Sequence, residues 1–260
     1  MDMPSRPKQT GSHGIALTAS ILAILLLGSS GASAQVPYAI DGAVPDANCC
    51  AAFPDPSGSI SELGPVNSKA TKLAGIGSAL PPMLAFTNPS GATDLAMIWL
   101  DTESDPSGDI WLYFGWQRDP NTGRAVVAYE FQTAAADPAC EYTGIDQTEP
   151  ASAAEAAVIS SCNPWSNRQA GDFMIVWDFG GSSTDVILRT FNGTGFDAGV
   201  NLSASGFAVA APNADGARGE GAINLTDAIF GSRHSCFDVA NVIPGTITGN
   251  SDSADYKDTV

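Results

Sequence analysis

The feature that most constrains this chain is a series of short apolar and aromatic runs cut apart by turn residues. Segments 94–100 (DLAMIWL), 109–116 (DIWLYFGW), 124–132 (RAVVAYEFQ), 171–179 (GDFMIVWDF) and 185–191 (DVILRTF) are each seven to nine residues long. That is too short for a typical helix and rich in the β-branched and aromatic residues that suit a pleated surface. The link DPNTG (119–123) predicts a hairpin joining 109–116 to 124–132, and the Gly-Gly-Ser-Ser turn after Phe179 predicts a second, joining 171–179 to 185–191. A short strand over 196–202 follows the tight turn NGTG (192–195), and 219–225 and 238–243 add two more. Helix is expected in two places only. One is an Ala-rich stretch opened by Ser152-Ala-Ala-Glu155, a capping-box pattern, and the other is a turn near 226–230. The expected fold class is all-β, an antiparallel β-sandwich of jelly-roll or concanavalin-like kind with one or two short helices. No repeat of 20 to 50 residues points to a solenoid or propeller.

The N-terminus reads as an address. Arg6 and Lys8 precede an uncharged apolar stretch over 15–27, and small residues lead to Ala32-Ser33-Ala34. That order matches the n-region, h-region and A-x-A site of a secretory signal peptide. The apolar stretch is well below the roughly 20 residues that a spanning helix needs. Residues 1–34 are therefore expected to be removed before Gln35, with no membrane insertion afterwards. The Pro-, Gly- and Ser-rich segment 35–90 is expected to be a loop-rich entry with one edge strand, and 91–260 the sandwich body of the same domain.

Of 11 Lys/Arg and 28 Asp/Glu, the signal segment takes Arg6, Lys8 and Asp2, leaving nine against 27 and a net charge of about −18. An acidic surface of this strength repels phosphate backbones and anionic lipid, so nucleic acid is not an expected partner; extracellular glycans and proteins are. Export also sets the cysteine chemistry, because oxidising compartments favour disulfides. Cys140 and Cys162 bracket the Ala-rich segment and are expected to pair. Cys236 then has Cys49 or Cys50 within its options, and the odd count leaves a free thiol, an intermolecular bridge or a vicinal pair open.

Three segments in order carry a family resemblance: Gly108–Arg118 leading into Ala125–Phe131, then Gly171–Phe179, then Gly219–Leu225 with Cys236-Phe237 and the final Asp255-Tyr-Lys-Asp-Thr-Val260. Over roughly residues 94–260 the order resembles the N-terminal β-domain of exported, adhesin-like bacterial surface proteins, where it precedes repeat or prealbumin-like domains. The resemblance implies a cell-surface or secreted β-domain and transfers no catalytic residues. The chain departs from the pattern in ending where the repeats would begin, without a sorting signal.

No complete catalytic motif is present. A Ser-His-Asp arrangement needs a histidine base, and after loss of His13 only His234 remains, in a Ser-Arg-His-Ser-Cys setting without a G-x-S-x-G elbow. A glycan-acting hydrolase of jelly-roll type is the alternative function, with Glu130 facing a cleft and Asp178 on the next aromatic strand as its partner carboxylate. Carbohydrate binding asks less, and Trp111 and Tyr113 share one strand face as a candidate stacking pair. Asp101, Glu103, Asp105 and Asp109, with Ser107, place oxygen donors at every second position, the donor chemistry of calcium, although Pro106 and Leu112 stand where an EF-hand has its glycine and its glutamate. The leading expectation is a secreted or cell-surface binding or structural module, adhesin-like and non-enzymatic, with no cofactor other than calcium.

Overall fold

The computed structural model describes residues 35–47, 49–56, 61–66, 71–119, 125–140, 152–179, 184–231 and 239–260. Thirteen strands are seen among them: β1 (Ala51–Pro54), β2 (Glu62–Pro65), β3 (Leu84–Thr87), β4 (Leu95–Ser104), β5 (Ile110–Arg118), β6 (Ala125–Gln132), β7 (Phe173–Phe179), β8 (Val186–Thr190), β9 (Val200–Asn201), β10 (Ala208–Pro212), β11 (Arg218–Asn224), β12 (Asn241–Ile247) and β13 (Tyr256–Thr259). They form a five-stranded sheet in the order β1-β4-β5-β11-β10, a six-stranded sheet in the order β13-β12-β6-β7-β8-β9, and the hairpin β2-β3. Every pairing is antiparallel, which makes the chain an all-β sandwich as the strand runs predict.

Side-chain alternation assigns the faces. Leu112, Phe114 and Trp116 of β5 meet Val127, Tyr129 and Phe131 of β6 and Phe173, Ile175 and Trp177 of β7 in the layer between the large sheets. Trp177 packs edge-on against both Trp116 and Phe114, with centroids 5.7 and 6.2 Å away, a geometry that the ring quadrupoles favour. The Tyr129 hydroxyl crosses the sandwich and donates to the Gly115 carbonyl at 2.7 Å. A Cβ on Gly219 would come within 2.6 Å of the Trp116 ring and 2.7 Å of the Trp177 ring, so the indoles fill the space that a side chain there would need.

Both outer faces are covered as well. Val126, Ala128, Met174 and Val176 face a second layer built from Leu63, Leu73, Ile76, Leu84, Trp165 and Tyr256. Trp99, Trp111, Tyr113 and Ala222 face a third, smaller layer with Tyr38 and Val44 of the N-terminal segment. The helix α1 (Ala153–Ser161) carries the capping box that its sequence predicts, with Ser152 Oγ accepting from Glu155 N and Glu155 returning to Ser152 N. The Cys140–Cys162 disulfide closes the excursion that contains it.

Two expectations are corrected. β5 and β6 are not a hairpin: β5 pairs with β4 and β11, while β6 lies in the other sheet between β12 and β7. The six residues between Arg118 and Ala125 can reach roughly 20 Å, enough to join sheets that pack about 10 Å apart, so turn composition at 119–123 does not by itself specify a hairpin. The entry segment also holds more than one edge strand. β1 does take the edge beside β4, but β2 and β3 form a hairpin of their own. The second predicted hairpin is present as β7-β8.

Candidate functional site

Glu130 illustrates how the sequence candidates resolve. It shares its strand face with Val126 and Ala128, as alternation requires, but that face is roofed. Arg168 donates from Nε to Oε1 and from Nη2 to Oε2, both at 2.7 Å, Tyr256 donates to Oε2 at 2.5 Å, and Gln132 Nε2 donates to Oε1 at 2.9 Å. The Arg168 and Glu130 side chains are 1% and 0% exposed. Arg168 Nη1 also donates to the Leu73 carbonyl, and its guanidinium lies about 5 Å from the Phe191 and Phe196 ring centroids. Burial alone pulls the Arg168 pKa down, and the adjoining Glu130 charge more than reverses that. A carboxylate held in this way does not face a cleft. Asp178 is no partner either: it lies opposite Val126 whereas Glu130 lies opposite Met174. Four residues along a strand is about 13 Å, beyond the span of a hydrolytic pair.

Trp111 and Tyr113 share a face as predicted, yet they are buried at 2% and 0% exposure, so neither offers a ring to a glycan. Residues 36–46 lie across them. Tyr38 packs on Tyr113 with centroids 5.1 Å apart, and the Tyr113 hydroxyl donates to Glu220 Oε2 at 2.8 Å while accepting from Asp46 N at 3.0 Å. Glu220 Oε1 takes the amides of Asp41 and Gly42 at 2.9 and 2.7 Å, tying the strap to β11.

The acids at 101–109 do not gather round a common point. Asp105 organises the turn: its Oδ1 accepts from Ser107 N, Ser107 Oγ and Asp109 N, and its Oδ2 from Trp111 Nε1. Burial pushes this carboxyl up, but those hydrogen bonds outweigh it and hold the pKa below the ordinary value. Asp109 Oδ2 accepts from Asn224 Nδ2. Cys49 and Cys50 are bonded to each other, the vicinal option among those left open by the sequence. His234 and Cys236 lie outside the described residues.

Sequence reasoning missed the most unusual electrostatic feature. Asp55 follows β1, Glu62 opens β2, Asp94 precedes β4 and Asp258 lies in β13, and all four are buried. Among the described residues, Asp55, Glu62 and Asp258 form a group in which one carboxylate oxygen from each lies within 4.8 Å of the other two. Both Asp55 oxygens, Glu62 Oε1 and Asp94 Oδ1 are buried without a hydrogen-bond partner. Asp258 is held in place by the amides of Leu95 at 2.7 Å and Thr259 at 2.9 Å. Two unit charges 4.8 Å apart repel by about 3.5 kcal/mol at an effective dielectric of ~20. Burial, and then the charges of Asp258, Glu62 and Asp94, push Asp55 up to about 10. Burial, followed by like charges including Asp258 and Asp94, pushes Glu62 up to about 8. Burial first, then the Asp119 charge, raises Asp94 to about 6. Burial raises Asp258 to about 7 against the hydrogen bond from Leu95. Chemically the cluster offers hard oxygen donors without nitrogen or sulfur, a set for a proton or a hard cation.

Comparison with family models, with curated proteins and with solved structures returns no match to this chain.

Proposed function

We propose that this chain is an exported bacterial module, secreted or held at the cell surface, that works by binding or by structure and not by catalysis. Its place is that of the N-terminal domain of adhesin-like proteins, and its partner is an extracellular glycan or protein. The observation that carries the reading is the Cys140–Cys162 bridge within a compact unit spanning Ala34–Val260. A disulfide is at home in an oxidising compartment, and the unit starts where the signal-peptide pattern ends. The placement of Glu130 supports the non-catalytic half, because the acid best positioned by the strand pattern is engaged by Arg168 and Tyr256.

The test uses the exported chain on a panel of bacterial and host polysaccharides and surface proteins, with retention and product release measured side by side. Retention on at least one ligand without release of sugar or peptide ends supports the proposal. Turnover of any member overturns it.

A further inference from the structure

Three strand ends and the C-terminal strand converge on the buried acids, and whereas Asp258 accepts two backbone amides, neither oxygen of Asp55 nor Glu62 Oε1 has a hydrogen-bond partner. Asp55 is 7% exposed, Glu62 1% and Asp258 0%, so water does not solvate them. An apolar or amide side chain would serve simple packing better, because an unpaired buried carboxylate destabilises the fold. None of the three takes part in an ion pair among the described residues. The charges acting on Asp55 are those of Asp258, Glu62 and Asp94, all of its own sign.

We propose that Asp55, Glu62 and Asp258 are the protein ligands of a calcium ion, with Asp94 beside them, and that the ion clamps the β2-β3 hairpin and the C-terminal strand onto the sandwich. Spacing fits the ion. Calcium takes oxygens at 2.3–2.6 Å, so two ligands on opposite sides of it are about 4.8 Å apart, and the three carboxylates lie within that span. Orientation fits too: both oxygens of Asp55 and Oε1 of Glu62 have no other partner, whereas Asp258 is pre-set by two backbone amides. A Cβ on Gly64 would lie 2.9 Å from Thr87 Oγ1 and 3.8 Å from Asp258 Oδ1, so a side chain there would crowd these oxygens. Thr87, directly opposite Glu62 in the β2-β3 ladder, contributes a further buried oxygen without a partner.

The ion also explains the connectivity. Asp55 follows the edge strand β1, Glu62 begins the separate hairpin, and Asp258 accepts from the first residue of β4. Those elements belong to both large sheets and to the hairpin, so a single ion would tie all three together. Outside the cell calcium is abundant, and sites in extracellular modules work at about 10⁻⁴ to 10⁻³ M.

The experiment is calcium binding to the full mature chain, measured by isothermal titration after passage over a chelating resin and repeated with magnesium, alongside thermal unfolding in calcium and in chelator at matched ionic strength. One calcium per chain is expected, with a midpoint that rises in calcium. Glu62→Gln and Asp258→Asn should each weaken binding at least tenfold. In chelator, Glu62→Gln should unfold no lower than wild type, because the amide has the shape of the neutral carboxyl that burial leaves there without the ion; that readout separates lost ligation from a damaged fold. Asp105→Asn should bind as wild type does. Absence of calcium binding by the wild-type chain overturns the site, as does binding that survives both ligand variants or is lost in Asp105→Asn. Magnesium binding in place of calcium overturns the choice of ion.

Discussion

Glu130→Gln separates a structural from a catalytic carboxylate. The substitution keeps the shape of the side chain and its ability to accept from Tyr256, but leaves the Arg168 guanidinium charged, fully enclosed and without its counter-ion. Breaking a buried pair from one side costs about 3–5 kcal/mol: with the amide oxygen at the Oε2 position, Arg168 Nε loses its acceptor and the bond from Nη2 loses its charge partner. Against a total stability of roughly 5–15 kcal/mol this is a large fraction. In a domain of this size it corresponds to a fall of roughly 6–20 °C in midpoint. The second variant, Glu130→Gln with Arg168→Met, removes the stranded charge and should recover most of the loss, since a buried pair replaced on both sides is close to neutral. Urea unfolding followed by fluorescence of the buried Trp116, Trp165 and Trp177 reads all three proteins. A loss below about 1 kcal/mol in the single variant, or a double variant no more stable than the single one, would refute the reasoning.

Further expectations follow from the other networks. Replacing Cys140 and Cys162 together by serine opens a 22-residue separation and should cost about 3 kcal/mol, read as a lower urea midpoint. Glu220→Ala removes the acceptor of three donors and should release the strap. Limited proteolysis should then cut within residues 35–47 faster than in wild type, and an unchanged pattern would contradict the strap's attachment. Asp105 has a lowered pKa, so its stabilisation is present above the ordinary aspartate range and is lost as pH falls through the folded-state value. Asp105→Asn should therefore be less stable than wild type near pH 6, with the gap closing as pH drops below about 4 in thermal scans.

What could be read in advance followed one rule, the two-residue alternation. It separated Trp111 and Tyr113 from Leu112, Phe114 and Trp116, and Glu130 from Tyr129 and Phe131, and those partitions hold. It says nothing about what covers a face. The strap at 36–46 and the layer carrying Arg168 come from segments without strand periodicity, so side chains that alternation turns away from the inter-sheet core are buried all the same. Local signals of fixed spacing, such as the capping box at Ser152 and Glu155 or the cysteines that flank α1, were legible because both partners lie close in sequence. The carboxylate cluster draws on Asp55, Glu62 and Asp258, two of them 196 residues apart, and nothing local marks them. Strands β10 and β13 were missed for a related reason: AVAAP and YKDT lack aromatic or β-branched runs and gain their pairing from β11 and β12.

The central claim is that this is an exported, disulfide-closed module, and the most direct test is the intact mass of the chain recovered from outside the cytoplasm. The full reading frame is expressed in a bacterial host, alkylated without reduction and weighed. The account predicts a chain beginning at Gln35, with Cys49–Cys50 and Cys140–Cys162 bridged. With four of the five cysteines so placed, alkylation can add at most one label, at Cys236. A chain that keeps residues 1–34, stays in the cytoplasm and takes five labels would contradict it.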